Sequence, residues 1–202
     1  MSPYPVPLDD AVAAASTGDI WLFRGRSLPD TAIRAVTNSP VNHVGMVVAL
    51  DDLPPLLWHA ELGRSLPDVW TGQRQRGVQL HRLGEAVATW NERYGQRAWM
   101  RQLQGTIQRR HEDRLMEVID RYDGRPFPIS LGLARRWLTG RFRRSASLET
   151  VYCAELVATT YGHMGLLPDG RPASWYDPGR FWSGDQIELV PPFVLGDEVA
   201  VG

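Results

Sequence analysis

The chain alternates between short apolar runs bounded by glycine or proline and longer stretches with helical spacing. Residues 8–15 predict a short helix with Asp9 and Asp10 near its start. Residues 17–25 hold an apolar run between Gly18 and Gly25, which predicts a mostly buried strand. Asp30 can cap a helix over 31–37 that ends before Pro40, because residues preceding proline avoid helical torsions. Residues 42–50 give the strongest strand signal, and 56–62 read as the returning strand of an antiparallel hairpin across the turn at 51–55. Residues 77–83 alternate with period two and predict another strand.

The pattern then turns helical over 84–122, divided by Gly95 and Gly105, with Leu115, Val118, Ile119 and Tyr122 marking one helix face. A turn is expected at 124–128, a short helix over 129–138 and a basic loop over 139–147 that carries Arg141, Arg143 and Arg144. Cys153, Leu156, Val157, Tyr161 and Met164 share a helix face that stops at Gly165. Thr150 is a candidate N-cap, which would put Cys153 in the first turn of that helix. Residues 167–184 read as loop, and residues 187–190 with the final residues as edge strand. The sum is an α+β fold in a single domain, 1–202, carrying a helical insertion around 84–122.

Cys153 is the only cysteine, so no intrachain disulfide forms and packing must supply the stability. At a helix N-terminus its thiol would ionise more easily than a free one and act as a nucleophile. The plain alternative is a buried structural cysteine, since cysteine is among the most buried residue types. A net charge of −1 argues against a general nucleic-acid binder. All 22 basic residues are arginine, which removes Schiff-base, P-loop-lysine and Ser–Lys chemistries. Residues 1–7 do not have the form of a signal peptide, and no run of about 18 apolar residues occurs, so a cytoplasmic location is expected.

A thiol nucleophile needs a base within hydrogen-bond reach and a group that orients the base. Five histidines are available. His43 opens a buried strand. His59 lies mid-run and shares a strand face with Leu57 and Glu61. His81 is a spare candidate, His111 falls in an Arg/Glu-rich helix and reads as solvated, and His163 lies ten residues beyond Cys153, roughly 15 Å along the helix and out of reach.

Three segments in order, NHVGMVV, LLWHAELG and VYCAELV, resemble the circularly permuted papain-fold proteins of the YiiX/YaeF-like branch. That branch is related to NlpC-type cell-wall hydrolases and to lecithin:retinol acyltransferase-like enzymes. Gly18-Asp19 before the first strand, Ser39 before NHVG and the GRPF turn at 124–127 add to the likeness. The motifs touch roughly half of the chain. The resemblance implies a permuted papain-like fold, with an antiparallel sheet packed on helices and the nucleophile at a helix N-terminus. It implies Cys153 as nucleophile, His43 as base and the polar residue of the second hairpin strand as its orienter. The common pattern has an acid at that third position; here the alignment gives His59, and a two-residue shift would give Glu61. The family's Cys-Ser-Glu is Cys-Ala-Glu here, with Glu155 as a helix brace or a solvated carboxylate.

The activity so implied is thiol-dependent acyl transfer on an amide or ester, with no cofactor. Substrates would be a small peptide, a muropeptide, or an acyl amide or ester. Three rivals stand beside it. His43, His59, Glu61 and His81 could ligate zinc, although no HExxH or CxxC spacing is present. The same fold could serve as a non-catalytic peptide- or lipid-binding module. A lipid acyltransferase or phospholipase could work at a membrane surface, using the eight tryptophans and the basic loop for peripheral contact. Residues 90–111 could cover the cleft.

Overall fold

The computed structural model describes residues 4–25, 39–50, 52–61, 63–126, 144–185 and 187–202. Its elements run α1 (Leu8–Ala13), β1 (Ile20–Arg24), β2 (His43–Val48), β3 (Leu56–Glu61), β4 (Gly77–Arg82), α2 (Leu83–Tyr94) and β5 (Arg97–Arg101). There follow β6 (Leu103–Gln104), α3 (Arg109–Tyr122), α4 (Arg144–Met164), β7 (Val194–Leu195) and β8 (Val199–Val201). This is an α+β architecture in which an antiparallel sheet packs against helices. Among the described residues the main sheet has the order β4-β3-β2-β1-β5-β8, with every neighbouring pair antiparallel.

The register fixes which side chains share a face. Phe23 lies opposite His43 and Trp21 opposite Gly45, while Val47 pairs with Leu57, and His59 with Gln79. Because side chains alternate, these residues lie on one face and their neighbours Val44, Met46, Trp58 and Leu80 on the other. On the first face, Trp21, Phe23, Val47 and Leu57 pack with Ala11 of α1 and with Leu83, Ala86, Val87 and Trp90 of α2. On the second, Ile20, Leu22, Val44, Met46, Trp58 and Leu80 pack with α3 and α4. There Leu115, Val118 and Ile119 meet Cys153, Leu156, Val157 and Tyr161. Burying each such side chain contributes on the order of 1.5–3 kcal/mol, and among the described residues the sheet separates two apolar clusters.

Two buried polar anchors tie the strand ends to distant loops. Asp19 accepts hydrogen bonds from the backbone of Ser16 (2.9 Å) and Leu103 (2.8 Å). Arg101 donates to the carbonyls of Gly196 (2.6 Å), Phe181 (2.5 Å) and Leu195 (3.2 Å). The long tail after α4 is thereby held under β5.

Several expectations are corrected here. Residues 84–122 are not helical throughout: Arg97–Arg101 is a strand between β1 and β8. Its alternation is short and carries an arginine at each end, which hides it inside a helix-like composition. Helix α4 begins at Arg144, where the sequence suggested a loop and a cap at Thr150. The final residues do form an edge strand, but 187–190 do not. The predicted helices over 31–37 and 129–138 lie outside the described residues.

Candidate functional site

Strands β2, β3 and β4 each put a histidine on the face covered by α2. His43 Nε2 lies 3.2 Å from His59 Nδ1, and His59 Nε2 lies 3.0 Å from His81 Nδ1. Both separations are hydrogen bonds, so the three rings form a chain across adjacent strands. Gly45 makes room for it: a Cβ there would sit 2.6 Å from Leu57 Cδ1 and 3.2 Å from His59 Cβ. Trp90 of α2 closes the chain from above, its ring centroid 5.6, 5.1 and 6.4 Å from those of His43, His59 and His81. All three rings are buried, His43 keeping 6% of its surface exposed and the other two none.

Burial dominates the electrostatics. It pushes His43 down to about 3, with the nearby His81 adding to the effect. His59 is driven well below its usual value, by burial first and then by its two neighbours. His81 falls to about 4 through burial, against the opposing pull of the Asp68 carboxylate and the Leu66 backbone. All three rings are therefore neutral at pH 7, and each has one N–H and one lone pair. The two ends of the chain, His43 Nδ1 and His81 Nε2, are buried without a hydrogen-bond partner among the described residues.

Glu61, the alternative third residue, is occupied elsewhere. Its carboxylate accepts from the Ser65 backbone (3.0 Å) and hydroxyl (3.1 Å), and Ser65 Oγ accepts from Trp90 Nε1 (2.9 Å). Burial raises the Glu61 pKa while the Ser65 bonds pull it back. Its oxygens thus hold the indole that covers the histidines, whereas His59 is the residue that meets His43. Gln79, cross-strand from His59, buries an amide whose two ends find no partner among the described residues.

Cys153 is not beside this chain. It is fully buried in the core on the α4 face, among Val44, Met46, Trp58 and Tyr161, while His43 belongs to the α2 face. It is also not in a first turn. Helix α4 starts nine residues earlier, about 14 Å along the axis, and the field of a helix terminus fades within its first turn. The structure thus brings His43 and His59 together and leaves Cys153 across the sheet from both.

The other histidines have structural partners. His111, expected to be solvated, is buried and closes a capping box at the start of α3, where its Nδ1 accepts from the Gln108 backbone at 2.9 Å. His163 pairs with Glu117 at 2.8 Å on the surface. An open groove of about 680 Å³ lies between α3, α4 and residues 167–176, lined by Glu117, Arg121, His163, Arg171 and Tyr176. It touches neither the histidine chain nor Cys153.

No protein-family model and no curated protein matches this chain. It is similar to the crystal structure of metalloprotein yiiX from Escherichia coli O157:H7, DUF1105, with 24% identity and a TM-score of 0.48. The match covers 74% of this chain and 66% of that one, just under two thirds of its length.

The metal reading does not fit these residues. The three rings meet in series, with both nitrogens of His59 already engaged. Among the described residues no group of three His, Cys, Asp or Glu could hold a metal ion. Among them, too, no helix is long and apolar enough to cross a membrane. Of the expected basic loop, Arg141 and Arg143 lie outside the described residues and Arg144 opens α4. Sequence reasoning missed that His81 joins the chain and that Ser65 ties Glu61 to Trp90. The first had a signal, because Gln79 and His81 form the polar half of the β4 alternation. Chemically, the arrangement offers one neutral imidazole with one nitrogen held by a second ring and the other buried and unpaired among the described residues.

Proposed function

We propose that this protein is a hydrolase of amide or ester bonds that works by acyl transfer, with His43 as the base and His59 as the residue that orients it. The observation that carries this reading is the 3.2 Å contact from His43 Nε2 to His59 Nδ1, which leaves His43 Nδ1 open. A base held from one side and unpaired on the other is what proton abstraction requires once the substrate or thiol reaches it. The motif set supports a permuted papain-like arrangement with Cys153 as the nucleophile. In the reaction His43 Nδ1 takes the thiol proton and the thiolate adds to the substrate carbonyl. The tetrahedral adduct collapses to a thioester as the protonated His43 gives its proton to the departing amine or alkoxide. Water, deprotonated by His43, then cleaves the thioester and restores the thiol. A peptide, a muropeptide, or an acyl amide or ester meets this chemistry.

The reaction demands an encounter that the described arrangement lacks, since Cys153 and His43 occupy opposite faces of the sheet. A movement carrying the thiol out of the α4 core is therefore part of the proposal. The test is the alkylation rate of Cys153 by iodoacetamide in the folded protein, read by mass spectrometry from pH 5 to 9. The proposal expects reaction faster than free cysteine at neutral pH, slowed strongly in His43→Gln. A rate no greater than that of free cysteine, unchanged by His43→Gln, overturns it.

A second reading is favoured by a specific observation, the complete burial of Cys153 in the α4 core. On that reading the thiol is packing, and the fold serves as a binding module for a peptide or a lipid. It expects Cys153 to stay silent to iodoacetamide until denaturant is added.

A further inference from the structure

The proton count of the histidine chain carries an inference beyond the base and its orienter, and it rests on reading His43 as the base. Three neutral rings hold three N–H protons in all. Each of the two inter-ring contacts, 3.2 Å and 3.0 Å, uses one proton and one lone pair. Only two ordered arrangements satisfy both contacts. In one, His43 Nε2–H donates to His59, His59 Nε2–H donates to His81, and the third proton sits on His81 Nε2. The other reverses every bond, puts the third proton on His43 Nδ1 and leaves His43 no lone pair outside the chain. The first makes His43 a base at its open nitrogen, and the second makes it a donor.

The choice between them is made at the far end. Asp68 lies near His81, its carboxylate held by the backbone of Trp70 (3.1 Å), Thr71 (2.8 Å) and Leu80 (2.9 Å). That carboxylate and the Leu66 backbone both draw a proton toward His81, with Arg74 opposing them more weakly. Around His43 the packed rings are Phe23, His59 and Trp90, none of them anionic. Glu61 on the neighbouring strand is turned to Ser65. Every N–H dipole of the first arrangement points toward the Asp68 end, where negative charge favours it.

We propose that His81 is a positioning residue: through His59 it holds His43 in the Nε2–H form, with the Nδ1 lone pair open to receive a proton. His81 touches no substrate. It acts by accepting the His59 proton at Nδ1 and keeping its own on Nε2.

The experiment is two-bond proton–nitrogen NMR of ¹⁵N-histidine-labelled full chain at pH 7.5, which reports which nitrogen of each ring carries the proton. Wild type should show His43, His59 and His81 each as the single Nε2–H form. His81→Leu removes the acceptor and should release His43 into a mixture of forms. His81→Asn places Oδ1 where the acceptor was and should restore the single form. Iodoacetamide labelling of Cys153 in the same three proteins should fall in His81→Leu and return in His81→Asn. Wild-type His43 found as Nδ1–H overturns the inference, as does a His43 pattern unmoved by His81→Leu. If His81→Leu does not fold, the wild-type and His81→Asn spectra decide the matter alone. The expected tautomers with a silent thiol would leave this inference standing and remove the acyl-transfer reading. A reactive, His43-dependent thiol with unmoved tautomers would do the opposite.

Discussion

The two faces of the main sheet are built to different rules. The face under α4 is mostly apolar, and its buried polar groups are satisfied: Trp58 Nε1 donates to Thr160 Oγ1 at 3.1 Å, that hydroxyl donates to the Leu156 carbonyl at 2.8 Å, and Arg101 and the Tyr161 hydroxyl donate to backbone carbonyls. The face under α2 buries His43, His59, His81, Gln79 and Glu61 beside its aromatic core. There, among the described residues, His43 Nδ1 and both ends of the Gln79 amide have no partner, and His81 Nε2 has no side-chain partner. A buried polar atom left unsatisfied costs about 1–3 kcal/mol, so the α2 face gives up stability that the α4 face does not. One face holds the fold together, and the other holds groups with unused bonding capacity. Sites of chemistry are drawn from the second kind.

Acid should break this comparison most sharply. The folded-state values of His43, His59 and His81 all lie below the unfolded value of 6.5, at about 3 for His43 and about 4 for His81. The native state therefore refuses protons that the unfolded chain accepts. Full stability is present above pH 6.5 and is lost as pH falls from there toward 4. Three protons taken up on unfolding give a slope approaching ~4 kcal/mol per pH unit. Glu61, Asp19 and Asp123, whose values are raised, oppose this loss in the same range and blunt the slope. Urea unfolding at pH 7.5, 6.5, 5.5 and 4.5 measures it, and His81→Asn should remove about one proton from the slope. A flat profile would mean that the α2 face is not a cluster of neutral imidazoles.

On the opposite face the corresponding break is Trp58→Ala. It removes a fully buried indole and the hydrogen bond that the Thr160 hydroxyl accepts, while that hydroxyl keeps its bond to the Leu156 carbonyl, at an expected cost of about 3–5 kcal/mol in urea unfolding. Unlike the histidine effect, this loss should be nearly independent of pH between 5 and 8. A strong pH dependence in this variant would show that the two faces are coupled. The mildest perturbation is Ser65→Ala, which frees Trp90 Nε1 and removes the hydroxyl from Glu61. It should cost about 1–2 kcal/mol and loosen the indole over the histidines. Its signature is a shift in the His43 and His59 ring signals with those of His111 unmoved.

Strands β1 to β4 were legible because apolar runs and period-two alternation survive in them with clear glycine and proline boundaries. β5 was not, because Arg97-Ala98-Trp99-Met100-Arg101 alternates over too few residues to outweigh its arginine-rich surroundings. The start of α4 was misplaced because its apolar stripe begins only at Cys153, while residues 144–152 are mostly polar and short-chained. Of the site, alternation correctly set His59 and Glu61 on one face of β3, and contact geometry then put His59 against His43. What alternation does not encode is which helix covers which face. That depends on long-range packing of α2 and α4, and it separates Cys153 from the histidines. His111 shows the same limit: an arginine-rich helix still turns one face inward, and the ring at its first turn is used as a cap.

Gly45 has a bearing on evolution by small steps. One added methyl at this position would run into the Leu57 side chain at 2.6 Å and crowd the β-carbon of the middle imidazole at 3.2 Å. A residue with no side chain thus leaves room for the imidazoles of neighbouring strands to touch, and a substitution that looks harmless by hydrophobicity would press first on Leu57 and then on the middle ring.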